Sequence, residues 1–584
     1  MAGGVAHNGR WRFTVSTHPI PDRSGVNAYT DDPDFAALLR VYLGDTLFTH
    51  LEPHLNELGR RVGGELDALA HLADTHPPVL HNRNRQGMDL QSIEKHPAYV
   101  ALEQVAFGDY GLAAMSHRSG VLGWSQPLPP AAKYALSYLL VQAEFGLCCP
   151  LSMTDSLTRT LRKFARPELV ERYLERLTTQ DPSQLIQGAM FMTEQGAGSD
   201  VAATTTRATA APELGEGVYR LSGDKWFCSN PDAGLAMVLA RVDSSPMGMS
   251  GVSLFLLPRT LPNGEANAYR IVRLKDKLGT RSMASGEIRM DGAQAWLVGE
   301  LGRGFVQMAD MVNNSRLSNG MRAAGLMRRS LAEALFVARE RHAFGQSLID
   351  MPLMQIQLAK MMVRTEQARS VMFQAAWALQ RADSGEPQAY ALTRLLTPLL
   401  KYRATRDARQ VAGDAMEVRG GCGYIEEWAD PRVLRDAHLG SIWEGTSNIV
   451  ALDVLRAIQR EDALPVWQQH QRDLMAQTPW HAQVQNTLEA LLARVYAMAQ
   501  AVSERRDAAQ ARRVAASLYH LSAAVAMGWE AHRIQSPRRM LLAQLVLKHR
   551  LLPVDPLSEN DTATLAPLWT TNASVGPVNA VCVL

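Results

Sequence analysis

The sequence predicts an α+β protein built from four consecutive regions, because helical and strand patterns occupy separate long blocks of the chain. Apolar residues recur at three- and four-residue spacing from about residue 34 to 180, and again from 304 to 458. Between these blocks, short runs of alternating apolar residues are separated by turn residues, which is typical of strands. We therefore expect an N-terminal helical domain (1–183), a middle β domain (184–299), a helical bundle domain (300–458) and a C-terminal helical extension (459–584).

The N-terminal region is predicted to be helical by the segments FAALLRVYLG, ALEQVAFGDYGLAAM and ARPELVERYLERLTTQ. In the last of these, Pro167 stands near a helix start and the charged residues lie opposite a Leu/Val/Tyr face. The pattern stops at Asp181-Pro182. Strands are then predicted in GVYRLSGDKWFCSN, AMVLARVDSS, GVSLFLLPRT, AYRIVRLKDKLGTRS and ASGEIRMDGAQAWLVG.

The third region returns to helical periodicity in LAEALFVARERHAF, LMQIQLAKMMVRTEQARSVMFQAAWALQRA and YALTRLLTPLLKYRATRDARQVAGDAM. These segments are apolar around much of their circumference, which is typical of the core helices of a bundle. After Leu464-Pro465 a further helical pattern follows. Its apolar face consists of Val484, Leu488, Leu491, Val495, Met498 and Val502.

The composition describes an ordinary globular protein: 584 residues, of which 46% are hydrophobic and 20% charged, with a formal net charge of +2. No global field therefore draws it toward nucleic acid or a membrane surface. Its five cysteines form no CxxC pair and have no histidines at zinc spacing, so we expect no metal site and a reducing, cytoplasmic setting. We see neither a secretory signal nor a membrane-spanning run, and expect no membrane partner.

The strongest candidate for catalysis is Glu444, in the segment Ile442-Trp443-Glu444-Gly445-Thr446-Ser447-Asn448. Apolar neighbours partly remove a carboxylate from water and so raise its affinity for a proton, and the Gly-Thr-Ser-Asn turn allows backbone to approach a ligand. These are the surroundings of a general base. The alternative is an exposed glutamate at a helix start.

A second candidate is the loop Met190-Phe191-Met192-Thr193-Glu194-Gln195-Gly196-Ala197-Gly198-Ser199-Asp200 at the entry to the β domain. Its small residues let backbone approach a bulky ligand, and Thr193 and Ser199 offer hydroxyl groups to a heterocycle or a pyrophosphate. An ordinary turn is the alternative. No GxGxxG follows a strand, so a Rossmann nucleotide site is not supported.

A third candidate is the segment Asp224-Lys225-Trp226-Phe227-Cys228-Ser229-Asn230. Alternation along a strand puts Phe227 and Ser229 on the same face, which brings an aromatic ring and a hydroxyl together. The alternative is a core phenylalanine beside an edge serine.

Together, in this order, these segments resemble the acyl-CoA dehydrogenase family. The stretches MTEQGAGSD, DKWFCSN, KLGTRSMAS, RHAFGQSL, AMEVRGGCGY and IWEGTSN each match a family signature, and the helical, β, helical order matches its three-domain fold. Further segments are similar to its alkylation-response branch: HPPVL, KHPAY, GLCCPLSMT, Phe-Cys-Ser, Glu417 and the terminal NAVCV. With these, the resemblance covers nearly the whole chain.

The resemblance implies an FAD-dependent dehydrogenase in which Glu444 removes the α-proton of a short or branched acyl-CoA while a hydride leaves to the flavin. A second subgroup carries its base at the position of Ser315, which cannot do that work, so Glu444 is the only candidate. The implied cofactor contacts are Met190, Met192, Thr193, Gly198, Ser199, Phe227, Cys228, Ser229, Trp443, Gly445, Thr446 and Asn448.

The resemblance also implies a homotetramer in which a neighbouring subunit contributes to the adenine end of the cofactor. The matching residues are Arg341, Phe344, Gln346, Glu417 and Gly421. Glu417 replaces an amide with an anion, which donates no hydrogen bond and repels a pyrophosphate.

The C-terminal region implies the second property of the branch, binding of double-stranded DNA. Arg505-Arg506 and Arg512-Arg513 are one heptad apart and would share a face of one helix, while Arg538-Arg539 follow Pro537 at a helix start. The alternative is a solvated helix face, since acidic residues are interspersed. No base-reading motif is visible, so we expect sequence-independent, salt-sensitive binding. The alternative function is a DNA-binding protective flavoprotein with vestigial dehydrogenase activity.

Overall fold

The computed structural model describes residues 20–243, 245–555, 557, 562–569, 578 and 582–583. In these ranges, helices precede and follow one seven-stranded sheet, which confirms the predicted α+β class and its helical, β, helical order. Every helix in the described ranges is too short or too polar to cross a bilayer.

From residue 20 onward, the N-terminal region contains seven α-helices: α1 (Phe35–Leu43), α2 (Asp45–Val62), α3 (Glu65–Thr75), α4 (Pro97–Glu103), α5 (Pro130–Leu140), α6 (Cys148–Phe164) and α7 (Pro167–Thr178). Helix α6 is buried over most of its length and packs between the sheet and the helical bundle. It therefore carries side chains to the boundary of both domains.

The same region also forms a hairpin, β1 (Val79–Arg83) and β2 (Asp89–Glu94), where the sequence pattern predicts only helices. Most of its side chains are exposed, so no apolar alternation marks it in the sequence. The hairpin packs on the β domain instead, where the backbone N–H of Ile271 donates to Oε1 of Gln91 at 2.7 Å.

The β domain consists of β3 (Gly188–Phe191), β4 (Arg207–Ala210), β5 (Val218–Ser229), β6 (Leu235–Val242), β7 (Val252–Pro258), β8 (Tyr269–Leu274) and β9 (Ser285–Val298). The strand order is β3-β6-β4-β5-β9-β7, and β8 pairs with β9. An additional pairing of β6 with β7 closes β6, β4, β5, β9 and β7 into a ring. Phe191, Leu221, Val238 and Phe255 belong to the apolar cluster of this domain.

The bundle domain consists of α8 (Gly304–Glu340), α9 (Pro352–Asp383), α10 (Ala389–Arg419), α11 (Ala429–Leu439) and α12 (Ser447–Arg460), with a short hairpin of β10 (His342–Ala343) and β11 (Gln346–Ser347). The three long helices are buried over most of their surfaces, as their apolar circumference predicts. Several arginines are nevertheless buried among them.

The C-terminal extension consists of α13 (Ala463–Ala476), α14 (Ala482–Glu504), α15 (Ala511–Ile534) and α16 (Pro537–Val546). The predicted apolar face of α14 is buried, except that Met498 is only partly covered. Helix α15 packs against α9, α10 and α12. The extension is therefore built onto the bundle domain.

Candidate active site

The glycine-containing loop that follows β3 is held in place by Glu194. One oxygen of this buried carboxylate accepts hydrogen bonds from the backbone and hydroxyl of Thr205, both at 2.7 Å, and the other accepts from the backbone and hydroxyl of Thr206 at 3.1 and 2.6 Å. The fully buried Lys225 donates to Glu194 at 2.7 Å. Burial opposes ionisation, but Lys225 and the two hydroxyls bring the pKa of Glu194 down to about 2.

This ion pair joins two of the segments that the sequence analysis singled out. Lys225 belongs to β5, and its neighbour Trp226 donates its backbone N–H to the carbonyl of Thr193 at 2.8 Å. Beyond Glu194 the loop faces open space, because a Cβ added to Gly196 or Gly198 would meet no atom within 4 Å. The loop is thus anchored on one side and accessible on the other.

Of the predicted loop residues, Met190, Met192 and Thr193 are half-buried. The two methionines pack against the helical core, whereas Gly198 and Ser199 are exposed. The loop therefore combines the partly covered side chains of two methionines, the half-buried hydroxyl of Thr193 and the exposed hydroxyl of Ser199.

The end of β5 alternates as the sequence predicts. Phe227 is 60% exposed, Cys228 is fully buried, and Ser229 is half-buried. The core-phenylalanine alternative is therefore wrong. The thiol of Cys228 lies in the apolar cluster of the β domain, so only its backbone can face a ligand.

Glu444 lies in the turn between α11 and α12, and its side chain is only 6% exposed, so the exposed-helix-start alternative is wrong. Its φ of 56° is in the left-handed region, which a glutamate adopts only when its surroundings impose it. The surroundings include Arg316, whose Nε donates to the Glu444 carbonyl at 3.0 Å. The neighbouring Gly445 also has a positive φ, of 99°.

The two carboxylate oxygens of Glu444 have different surroundings. Oε1 accepts a hydrogen bond from the hydroxyl of Ser315 on α8, at 2.5 Å. Oε2 is buried and has no hydrogen-bond partner in the described ranges. Ser315 thus orients the carboxylate and leaves one oxygen free to accept a proton.

Four cationic side chains surround this turn. Nη1 of Arg316 contacts Asp453 at 2.8 Å, and Arg394 contacts the same carboxylate at 2.8 Å. Lys401 donates to the carbonyl of Gly445. Burial lowers the pKa of Lys401 to about 7, although Glu444 acts in the opposite direction.

The fourth cation is Arg322, which, like the other three, was not predicted from the sequence. It is fully buried on α8, with Nη2 at 3.5 Å from Oε1 of Glu444. Its charge is the only feature of the sequence that could have marked it as a site residue, because it stands in the otherwise small and apolar stretch Gly320-Met321-Arg322-Ala323-Ala324.

A further site residue that was not predicted is Cys149 on α6. Burial raises the pKa of its thiol, while the charge of Arg322 and the Ser229 hydroxyl act against that rise. The sulfur therefore lies next to the side chains of both Arg322 and Ser229. It stands between the end of β5 and the Glu444 turn. In the sequence, Cys149 contributed only to the resemblance of GLCCPLSMT.

The predicted residues around Glu444 differ in accessibility. Trp443 is half-buried, its ring stacks on that of Phe145 at 5.8 Å, and its buried Nε1 has no hydrogen-bond partner in the described ranges. Gly445 is half-buried, and Thr446 and Asn448 are exposed. The turn therefore combines a buried carboxylate with an accessible rim.

The C-terminal arginines form no single helix face. Arg505 and Arg506 follow the end of α14, where Arg506 has a φ of 53°, whereas Arg512 and Arg513 begin α15. The predicted continuous helix is therefore wrong, because the chain turns between the two pairs. All four side chains are nevertheless exposed.

The prediction that Arg539 binds DNA is wrong, because its side chain is buried. It is fully buried at the start of α16, with ion pairs to Glu366 at 2.7 Å and Glu530 at 2.5 Å. Arg538 is mostly covered and pairs with Asp34 at 3.1 Å. Residues on α9, on α15 and just before α1 therefore pair with both charges inside the fold.

A cationic cavity of about 500 Å³ lies beside Arg513. Its charged and titratable lining consists of Arg403, Arg494, Arg513, Arg550, His520 and His549, and no carboxylate of the described residues lines it. Apolar side chains of Leu491, Val495, Met498 and Leu551 complete the wall.

Three models of known protein families match consecutive parts of the chain. The adaptive response protein AidB N-terminal domain matches residues 19–182. The acyl-CoA dehydrogenase middle domain matches residues 189–293, and the acyl-CoA dehydrogenase C-terminal domain matches residues 302–459.

Individual relatives agree with these matches. The chain is 35% identical to AidB of Escherichia coli (strain K12) over 462 residues, which are 77% of this chain and 81% of that protein. It is 32% identical to acyl-CoA dehydrogenase family member 11 of Caenorhabditis elegans over 445 residues, 75% of this chain and 71% of that one. The crystal structure of C. elegans ACDH-11 in complex with C11-CoA has a TM-score of 0.85 at 27% identity, and covers 94% of this chain and 95% of that one.

Proposed function

Since the chain belongs to the acyl-CoA dehydrogenase family, we propose that it oxidises a short or branched acyl-CoA between the α- and β-carbons, with Glu444 as the base. It is an oxidoreductase related to AidB, and its cofactor is FAD. The proposal concerns the substrate, the base and the residues that hold the cofactor.

The residues present fit a flavin. The accessible glycine loop, the exposed ring of Phe227 and the half-buried hydroxyl of Ser229 suit a large planar ligand with a polar tail. The unpartnered Nε1 of Trp443 adds a buried hydrogen-bond donor. We propose that these residues, with Thr193 and Ser199 on the loop, hold FAD.

The observation that carries the catalytic assignment is the difference between the two oxygens of Glu444. Ser315 holds Oε1, and the buried Oε2 has no partner in the described ranges, so it can take a proton from an α-carbon. The electron pair of that C–H bond then forms the double bond. FAD, when bound, supplies the complementary chemistry by accepting the β-hydrogen as hydride.

An anaerobic visible titration tests this function. The purified holoenzyme is titrated with straight and branched acyl-CoA thioesters of increasing length. At least one of them should bleach the flavin band at roughly 450 nm, a property of the cofactor. A yellow protein that none of them bleaches would contradict the proposal. FAD should be the flavin released on denaturation.

We also propose that a homotetramer is the working assembly. The support is a set of large apolar side chains on the bundle domain, Phe344, Leu353 and Tyr424, which are at least 81% exposed in the single chain. Phe344 is among the positions at which the family resemblance implies a contribution from a neighbouring subunit.

A second candidate function is sequence-independent binding of double-stranded DNA. Arg505, Arg506, Arg512 and Arg513 are exposed, and the last borders the cationic cavity. Since the net charge of the chain is only +2, this concentration of arginine is a local feature. It supports the alternative of a DNA-binding protective flavoprotein in which dehydrogenation is vestigial.

Replacement of these four arginines by Ala should weaken DNA binding and make it less sensitive to salt. The slope of the logarithm of affinity against the logarithm of salt concentration should fall by up to about 0.9 for each phosphate that is no longer neutralised. The measurement is fluorescence anisotropy with a labelled duplex at several salt concentrations. A matched control replaces four other exposed arginines, Arg40, Arg60, Arg85 and Arg162. Equal affinity in both variants would locate any DNA-binding surface elsewhere.

A further inference from the structure

Arg322 is a buried cation whose terminal nitrogens form no hydrogen bond in the described ranges, although Nη2 lies at ion-pair distance from Glu444. Its side chain is 0% exposed, and neither Nη1 nor Nη2 has a hydrogen-bond partner in the described ranges. Its Nε reaches only the carbonyl of Ser318, at 3.4 Å. Since a buried guanidinium with unsatisfied N–H groups is unfavourable, this side chain indicates a bound group that the protein itself does not supply.

Glu444 does not satisfy Arg322. The distance of 3.5 Å between Nη2 and Oε1 of Glu444 is too long for a good hydrogen bond, and Oε1 already accepts from Ser315. Aromatic rings hold the guanidinium where it is: its carbon lies 4.7 Å from the ring centroid of Trp443 and 5.5 Å from that of Phe145. Arg322 is thus fixed beside the base and next to the Cys149 thiol, a weak acceptor, and neither terminal nitrogen forms a hydrogen bond in the described ranges.

The charges around the base favour an anion at this position. Arg316, Arg322 and Arg394 contribute three cationic groups to the turn and its immediate contacts, against the two carboxylates of Glu444 and Asp453. Lys401, whose pKa burial lowers to about 7, adds part of a positive charge at neutral pH. Asp453 is shared by two of the arginines, so the excess positive charge remains next to Glu444.

We propose that Arg322 binds a second carboxylate carried by the acyl group of the substrate, which makes the substrate a short dicarboxylic acyl-CoA. A guanidinium presents two parallel N–H donors that match a carboxylate, whereas an alkyl chain would leave both unsatisfied. Arg322 lies close to Glu444, so only a few bonds separate the carboxylate from the α-carbon. The inference rests on the proposed function and refines its substrate class.

Calorimetry on holoenzyme that carries Glu444→Gln tests the assignment without turnover. Glutaryl-CoA and pentanoyl-CoA have five acyl carbons each and differ in the terminal carboxylate. We expect glutaryl-CoA to bind at least tenfold more tightly. Adding Arg322→Met should abolish or reverse that preference, and Arg322→Lys should keep part of it. Arg339→Met, an exposed position on the same helix, serves as the matched control and should keep the preference.

Two results would overturn the inference. One is equal or tighter binding of pentanoyl-CoA when Arg322 is intact. The other is a loss of FAD from the Arg322→Met protein with no change in the ratio of the two affinities, since the unsatisfied N–H groups would then belong to the flavin. If glutaryl-CoA binds in an Arg322-dependent way but no thioester bleaches the wild-type flavin, the proposed oxidation fails and the binding site stands.

Discussion

Replacing Glu444 by Gln is expected to lower the rate of acyl-CoA-driven flavin reduction by roughly 10²- to 10⁴-fold, the usual contribution of a general base. Gln keeps the shape of the side chain and an oxygen that can still accept from Ser315, but it cannot take a proton at neutral pH. The yellow colour should remain. The measurement is anaerobic stopped-flow mixing with a thioester that bleaches the wild type.

The matched control is Glu427→Gln, which removes an exposed carboxylate of the same domain. It should reduce at the wild-type rate. Binding of the same thioester, measured by calorimetry, should change little in Glu444→Gln, because the variant removes proton transfer and not the pocket. If Glu444→Gln reduced as fast as the wild type, the base would have to be another residue.

Replacing Glu194 by Gln is expected to destabilise the protein by about 3–5 kcal/mol, since removal of one partner of a buried pair leaves the other charge uncompensated. Lys225 is fully buried and would lose its carboxylate. Because Lys225 lies on β5 and Glu194 on the loop after β3, the loss should also loosen the proposed cofactor loop. Urea denaturation measures the first effect, and the FAD content of the purified protein measures the second.

The double variant Glu194→Gln, Lys225→Met should recover part of the lost stability, because it removes the unpaired charge. Glu213→Gln breaks an exposed pair with Arg220 and should leave the midpoint of urea denaturation close to that of the wild type. Lys225 holds the pKa of Glu194 at about 2, so the contribution of the carboxylate is complete above about pH 4.5 and declines toward pH 2. A single variant as stable as the wild type at pH 7 would contradict this account.

Patterns of short sequence range predicted much of the fold and several features of the site. Strand alternation correctly predicted that Phe227 and Ser229 share a face opposite to Cys228, although an irregularity between Lys225 and Cys228 interrupts the regular pairing of β5 with β9. The buried face of α14 follows from helical period in the same way. The hairpin of β1 and β2 could not be predicted, because its exposed side chains carry no apolar alternation.

The C-terminal arginines illustrate the opposite case. A heptad spacing suggested that Arg505-Arg506 and Arg512-Arg513 share a helix, but the turn after α14 separates them. Arg539 is charged like the exposed Arg512 and Arg513, yet it is buried and forms ion pairs with Glu366 on α9 and Glu530 on α15. The sequence shows that a charged residue is present, but it does not show which residue lies next to it in the fold.

The sequence by itself determined the order of helical and β regions, the family, and Glu444 as the candidate base, because these depend on local periodicity and on contiguous motifs. Only the tertiary structure decided what surrounds that base. Ser315 and Arg322 come from α8, Cys149 from α6 and Ser229 from β5. These residues are far apart in the chain, and packing rather than any local pattern brings such positions together.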